Sequence, residues 1–191
     1  MTARSAVMLP GSIVSESELR AAALDGELVP LGDGFLPIDA PLTPFERAAS
    51  LAPALLDRRV VVADRSAAWV WGWGPQPPAV TTCVSITARI PSPDRRRLRT
   101  REVVIENDEL RSLGAVCVTA PLRTLVDLAR HDRGRDVVGI LAAGLLAHAV
   151  TAQQIDAELD RRPGLSFARP ARALLRDALV LCSADQPLLT R

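Results

Sequence analysis

Apolar positions recur at helical spacing at both ends of the chain and fall into short runs between them. Ser15-Glu16-Ser17-Glu18 has capping-box spacing. Ser15 is the N-cap, Leu19, Ala22 and Ala23 give one apolar face, and Gly26 stops the helix. Leu28–Leu31 and Phe35–Ile38 read as two short strands around the turn Gly32-Asp33-Gly34, confined to sheet edges by Pro30 and Pro37. A helix followed by a glycine-turned hairpin is the second half of a winged helix. Thr43-Pro44-Phe45-Glu46 starts another helix, with Phe45, Ala48, Ala49 and Ala52 on one face and a kink at Pro53.

The middle of the chain predicts strands at residues 60–62, Val80–Thr87, Glu102–Glu106 and Ala115–Val118, with the arginine-rich stretch to Thr100 as a loop or strand edge. Asp64 is expected to cap a short helix that runs through Trp69 and Trp71 to Gly72. Thr119 is expected to cap Ala120–Arg130. There Leu122, Leu125, Val126 and Ala129 face inward, and Arg123, Asp127 and Arg130 lie opposite. Three more helices follow: Arg135–Ala149, one capped by Thr151 with Gln154 and carrying Ile155 and Leu159, and one from near Ser166 carrying Leu174, Leu175, Ala178 and Leu179. The chain thus reads as α+β: a reduced winged-helix module at 1–42, then a mixed α/β domain at 43–191 with a helical C-terminal third.

Composition narrows the chemistry. All 23 basic residues among the 191 are arginine, a bias that a GC-rich bacterial genome accounts for. Without lysine there is no Gly-Lys-Ser/Thr phosphate loop, no Schiff-base or pyridoxal-phosphate site, and no lysine-bearing nuclease centre. The longest apolar stretch, Val137–Val150, falls short of a membrane span of roughly 20 residues. Cys83, Cys117 and Cys182 have unrelated spacings and suggest reduced thiols in a cytoplasmic protein. Net charge is +1, but unevenly spread. Residues 1–50 carry three arginines against seven acids, and residues 51–135 fourteen against nine.

Three segments in this order resemble the AbiEi-type antitoxins of type IV toxin–antitoxin systems, in the form common in actinobacteria. They are GELVPLGDGFLPIDA, DRSAAWVWG (Asp64–Gly72) and VTAPLRTLVDLAR (Val118–Arg130). The resemblance implies an N-terminal winged helix for operator DNA. It also implies a C-terminal domain that counteracts a nucleotidyltransferase-type toxin encoded next door, with no catalytic activity and no cofactor. Two departures stand out. Only residues 1–14 precede the helix assigned to Ser15–Asp25, where the family has two further helices. Arg20 is also the one basic residue between Gly11 and Ala40, although DNA readers need phosphate-neutralising cations. Relatives that continue into a repair-type endonuclease domain do so after a segment like CSADQPLLTR. Ending there, the chain is expected to lack that nuclease, which leaves a non-catalytic remnant as another reading.

Candidate nucleic-acid contacts are Arg89, Arg95, Arg96, Arg97, Arg99 and Arg101. With no aromatic interleaved for base stacking, the simpler reading is a solvated hairpin loop; as contacts they would serve a DNA-binding regulator with no toxin partner. Trp73, in the loop before Pro75, is the aromatic expected to be exposed for a partner. Arg123 and Asp127 are either a partner-facing pair or an intrahelical ion pair. His131 and His148 have no Cys or His at metal-ligand spacing, Ser66 and Cys117 lack a glycine elbow, and Asp108-Glu109 reads as a solvated turn. No enzyme signature emerges, no membrane partner is implied, and the oligomeric state stays open.

Overall fold

A computed structural model describes residues 5–11, 13–55, 57–88, 98–161 and 164–184. The order of elements is α1 (Glu16–Leu24), β1 (Leu28–Leu31), β2 (Gly34–Pro37), α2 (Pro44–Leu51), β3 (Val61–Val62), α3 (Asp64–Val70), β4 (Thr81–Ser85), β5 (Arg99–Val103), β6 (Leu110–Leu113), β7 (Val116–Thr119), α4 (Pro121–His131), α5 (Val137–Ala147), α6 (Ala152–Asp160) and α7 (Ala168–Ala184). This is a mixed α and β architecture.

Local chemistry sets the first elements. The Ser15 hydroxyl accepts from the Glu18 amide while Glu18 reaches back to the Ser15 amide, which closes the capping box of α1. β1 and β2 pair antiparallel, with Leu31 opposite Gly34 across a two-residue turn. Gly32, with φ +57, takes the first turn position, where the right-handed twist of a hairpin demands positive φ. Met8 adds one antiparallel bridge to Phe35, with N···O distances of 2.8 and 2.9 Å. Among the described residues the N-terminal part therefore holds one helix, a two-stranded hairpin and this single bridge.

The hairpin is not set apart from the rest. Leu31 and Leu36 share a core with Ala48, Leu51, Val62, Trp69, Val70 and Val118. The Asp33 amide also donates to the Ser50 carbonyl at 3.0 Å. A methyl group on Gly32 would sit 2.3 Å from Ser50 Oγ and 3.1 Å from its carbonyl. Gly32→Ala is therefore expected to cost roughly 2 kcal/mol or more, from positive φ plus overpacking. A shift in the urea midpoint measures it, and an unchanged midpoint would separate the hairpin from the core.

The main sheet runs β5-β4-β3-β7-β6. β3 sits at its centre, antiparallel to β4 and parallel to β7; β4–β5 is parallel and β6–β7 antiparallel. α2 packs on β6 and β7. A second core joins Ala68 and Trp73 to α4, α5, α6 and α7 through Leu125, Leu128, Leu141, Leu145, Ile155, Leu159 and Leu175. α5 and α6 bend 108° apart, and no single described helix is long and apolar enough to cross a membrane.

Several expectations shift. β5 begins at Arg99, inside the arginine stretch, and ends at Val103 instead of running from residue 102 to 106. β6 went unforeseen because its four residues, Leu110-Arg111-Ser112-Leu113, do not alternate between apolar and polar. α2 stops at Leu51, where Pro53 turns the chain into a 3-10 helix at Ala52–Ala54. Asp64 and Thr119 do not cap their helices. Ala63 and Ala120 hold those positions with no side-chain bond, because Asp64 is taken by Arg101 and Thr119 Oγ1 meets Thr124 Oγ1 at 2.6 Å.

Candidate functional site

The segment from Val118 to Arg130 runs off the central sheet and straight into α4. Proline at its first turn lacks only an amide that a helix start leaves unbonded anyway. The Thr124 hydroxyl lies 3.0 Å from the carbonyls of both Thr119 and Ala120, which fixes the strand-to-helix corner. Trp71 Nε1 donates to the Thr119 carbonyl at 3.0 Å, tying α3 to the same corner.

The corner holds α4 with its charged side against the sheet. Arg123 Nε donates to Asp127 Oδ2 at 2.7 Å. Its Nη1 donates to Glu109 Oε1 at 2.9 Å and to the Val104 carbonyl at 3.2 Å. Arg130 Nη1 reaches Asp127 Oδ1 at 3.2 Å. Arg101, on β5, grips Asp64 through Nε at 3.1 Å and Nη2 at 2.7 Å, and its Nη2 lies 3.7 Å from Asp127 Oδ2. Three carboxylates and three guanidiniums thus link α3, β5, the turn before β6, and α4. Burial opposes the Arg123 cation, but Asp127 and Glu109 more than offset it and raise its pKa. Burial outweighs Arg101 at Asp64 and pushes that carboxyl up. Asp64 also has φ +50, a strained value for a residue with a side chain.

A cleft of about 460 Å³ opens beside this hub. Asp64, Arg65, Arg99, Arg101, His131 and Arg133 are among its walls. Partial burial, then the Arg101 and Arg130 cations, lower the His131 imidazole to about 4, so it is neutral at pH 7. Burial, then Asp127, pushes the Cys83 thiol up to about 12, so it is no nucleophile. Arg65 bridges Asp132 at 2.5 Å and Asp136 at 2.6 Å, pinning the turn after α4. Hydrogen bonds from Arg65 hold Asp136 down at about 2. A carboxyl depressed on folding stabilises the fold above its ordinary pKa and loses that contribution as pH falls through the folded value. Arg65→Ala is therefore expected to lower Tm at pH 7, with the difference from the parent fading between pH 4 and pH 2. A constant difference across that window would remove the Asp136 clamp.

The proposed site residues fall into four groups. Arg89, Arg95, Arg96 and Arg97 lie outside the described residues. Arg99 is exposed on the edge strand, with no side-chain partner among the described residues. Arg101 is part of the hub. The surface placement of the remaining three is corrected. Trp73 is only 5% exposed and packs against Leu125 and the backbone at Gly144, whose added Cβ would lie 2.8 Å from the indole. Arg123 and Asp127 do form the intrahelical pair, but at 4% and 0% exposure they face no solvent. Glu109, read as solvated, is 3% exposed and receives Arg123.

The sequence reading missed Asp64 and Glu109 as hub members. No local signal marked the polar face as buried: Leu122, Leu125, Leu128 and Ala129 all lie off the arc that Arg123, Asp127 and Arg130 share. In the structure every residue from Arg123 to Ala129 is buried. Among the described residues no group of three His, Cys, Asp or Glu could hold a metal ion.

No protein-family model matches the chain, and no curated protein matches it. Among solved structures it is similar to the RV2827C protein from Mycobacterium tuberculosis. Identity is 17%, the TM-score 0.50, and the match covers 92% of this chain and 71% of that one. At this identity the likeness concerns the fold alone.

Proposed function

We propose that this chain is a non-enzymatic, cytoplasmic antitoxin-like protein of the AbiEi type. It suppresses a nucleotidyltransferase-type toxin encoded beside it, and its N-terminal helix and hairpin are a reduced winged helix. The observation that carries the reading is the convergence of the three resembling segments on one region. Leu31 and Leu36 of the first, Trp69 and Val70 of the second and Val118 of the third share a core. Asp64 of the second meets Arg123 and Asp127 of the third through Arg101. Segments that pack on each other are expected to be inherited as a set, which supports reading them together as one family pattern. The hub supports a non-catalytic role, because Asp64, Glu109 and Asp127 are each bonded to a guanidinium.

A tagged chain co-expressed with the neighbouring nucleotidyltransferase-type gene product is expected to retain that product on purification. A neighbourhood with no such gene, together with no retention of such a toxin, contradicts the reading. Arg99 favours a second function, repression of its own operon, because a free guanidinium on an edge strand can meet a phosphate. Arg99→Ala is then expected to weaken a gel shift on the upstream region and reduce its salt dependence, and an unchanged shift rejects that role.

A further inference from the structure

Two hollows meet at His131. The cleft of about 460 Å³ beside the hub and a neighbouring hollow of about 560 Å³ both have His131 and Arg101 in their walls. Arg99 and Arg101 are two apart on β5, so both leave the same face of the strand, and both wall the cleft. The cleft sets Arg65, Arg99, Arg101 and Arg133 against Asp64 and Asp132. Arg65 is spent on Asp132 and Arg101 on Asp64. Arg99 has no side-chain partner among the described residues. Arg133 donates to the Asp132 and Arg130 carbonyls at 2.9 and 3.0 Å, with no carboxylate partner among the described residues. Two cations are thus left uncompensated in one concave wall.

The second hollow supplies the aromatic ring that the arginine stretch lacks. Phe167 walls it and is 57% exposed. The Arg133 guanidinium lies over that ring, 5.6 Å from its centroid, and His131 meets it edge to face at 6.4 Å. Arg133 therefore joins the cationic cleft to the ring. The wall of this hollow also holds Glu102, against Arg101, Arg123 and Arg130. Phe167 has φ +62 and Asp64, in the cleft, φ +50, two of the three non-glycine residues at positive φ among the described residues. Backbone strain of this kind gathers at ligand sites.

The pair of features selects the ligand. Guanidiniums suit phosphate oxygens, and an exposed ring suits the face of a base. A duplex keeps its base faces stacked, so a free nucleotide or an unpaired strand is the source that offers both. Each hollow is also in the range of about 300–1,000 Å³ that small-molecule sites occupy. We propose that the two hollows form one site for a nucleoside phosphate, with the phosphate on Arg99 and Arg133 and the base stacked on Phe167. The site does not depend on the antitoxin reading.

The test is calorimetric titration of the full chain with the four ribonucleoside triphosphates, inorganic tripolyphosphate, a DNA single strand of about ten nucleotides and the matching duplex. At least one triphosphate, or the single strand, is expected to bind about tenfold or more tightly than tripolyphosphate and the duplex, and to weaken as salt rises. Whichever of the two binds more tightly identifies the source. Phe167→Ala and Arg99→Ala are each expected to weaken that binding about tenfold with Tm unchanged, since both side chains are exposed. A bound phosphate is also expected to raise the His131 pKa from about 4 in NMR titrations, because a nearby anion favours the imidazolium. His148, in the wall of a different cavity, should not move. Failure of every triphosphate and of the strand to bind overturns the proposal. So does equal binding of tripolyphosphate or the duplex, insensitivity to Phe167→Ala, or an unmoved His131. Toxin rescue is scored separately, and Phe167→Ala should leave the gel shift on the upstream duplex intact where Arg99→Ala weakens it.

Discussion

Arg123→Ala is expected to destabilise the protein by about 3–5 kcal/mol, because it strips one partner from a buried ion network. The guanidinium makes three bonds at once, to Asp127, Glu109 and the Val104 carbonyl. Alanine leaves two carboxylates behind that the fold has already taken out of water. Arg123→Lys should not restore the parent value, since a single ammonium cannot reproduce the planar fork that spans Asp127 and Glu109. Urea unfolding reads the effect. A loss under about 1 kcal/mol, as for an exposed helical pair, would return Arg123 to the surface.

Trp73→Ala is expected to cost a similar amount, about 3–5 kcal/mol, through the cavity it leaves. The ring fills space between α4 and α5 that only a glycine at 144 can leave open. Its ring centroid lies 5.4 Å from that of His148, edge to face. Trp73→Phe should cost much less. It keeps a ring, and it removes an indole N–H that is buried without a hydrogen-bond partner among the described residues. Thermal unfolding of the two variants separates the cases. A change within about 0.5 kcal/mol for Trp73→Ala would be a surface result.

These two residues also show where the sequence stops being legible. Caps, turns and apolar spacing act over a few residues, so α1, the hairpin and the helical third follow from local pattern: Ser15 with Glu18, Gly32, and Thr151 with Gln154 all behave as spaced. β6 and the early start of β5 are settled by pairing with β7 and β4, which no local window contains. The hub was hidden for the same reason. Arg123 and Asp127 at i, i+4 look like a solvated pair until Glu109 and Arg101, distant in sequence, are placed against them. Trp73 sits in a proline- and glycine-rich loop that suggests exposure, yet α5 folds back over it. The arginine stretch divides as well, with the half-buried Arg101 tied to Asp64 and Arg99 left on the surface.

Growth rescue tests the antitoxin account most directly. Cells expressing the neighbouring nucleotidyltransferase-type toxin are expected to recover when this chain is co-expressed. Arg123→Ala is expected to rescue only in proportion to the folded protein that remains. Continued growth arrest with the parent chain present at full, soluble level would contradict the account.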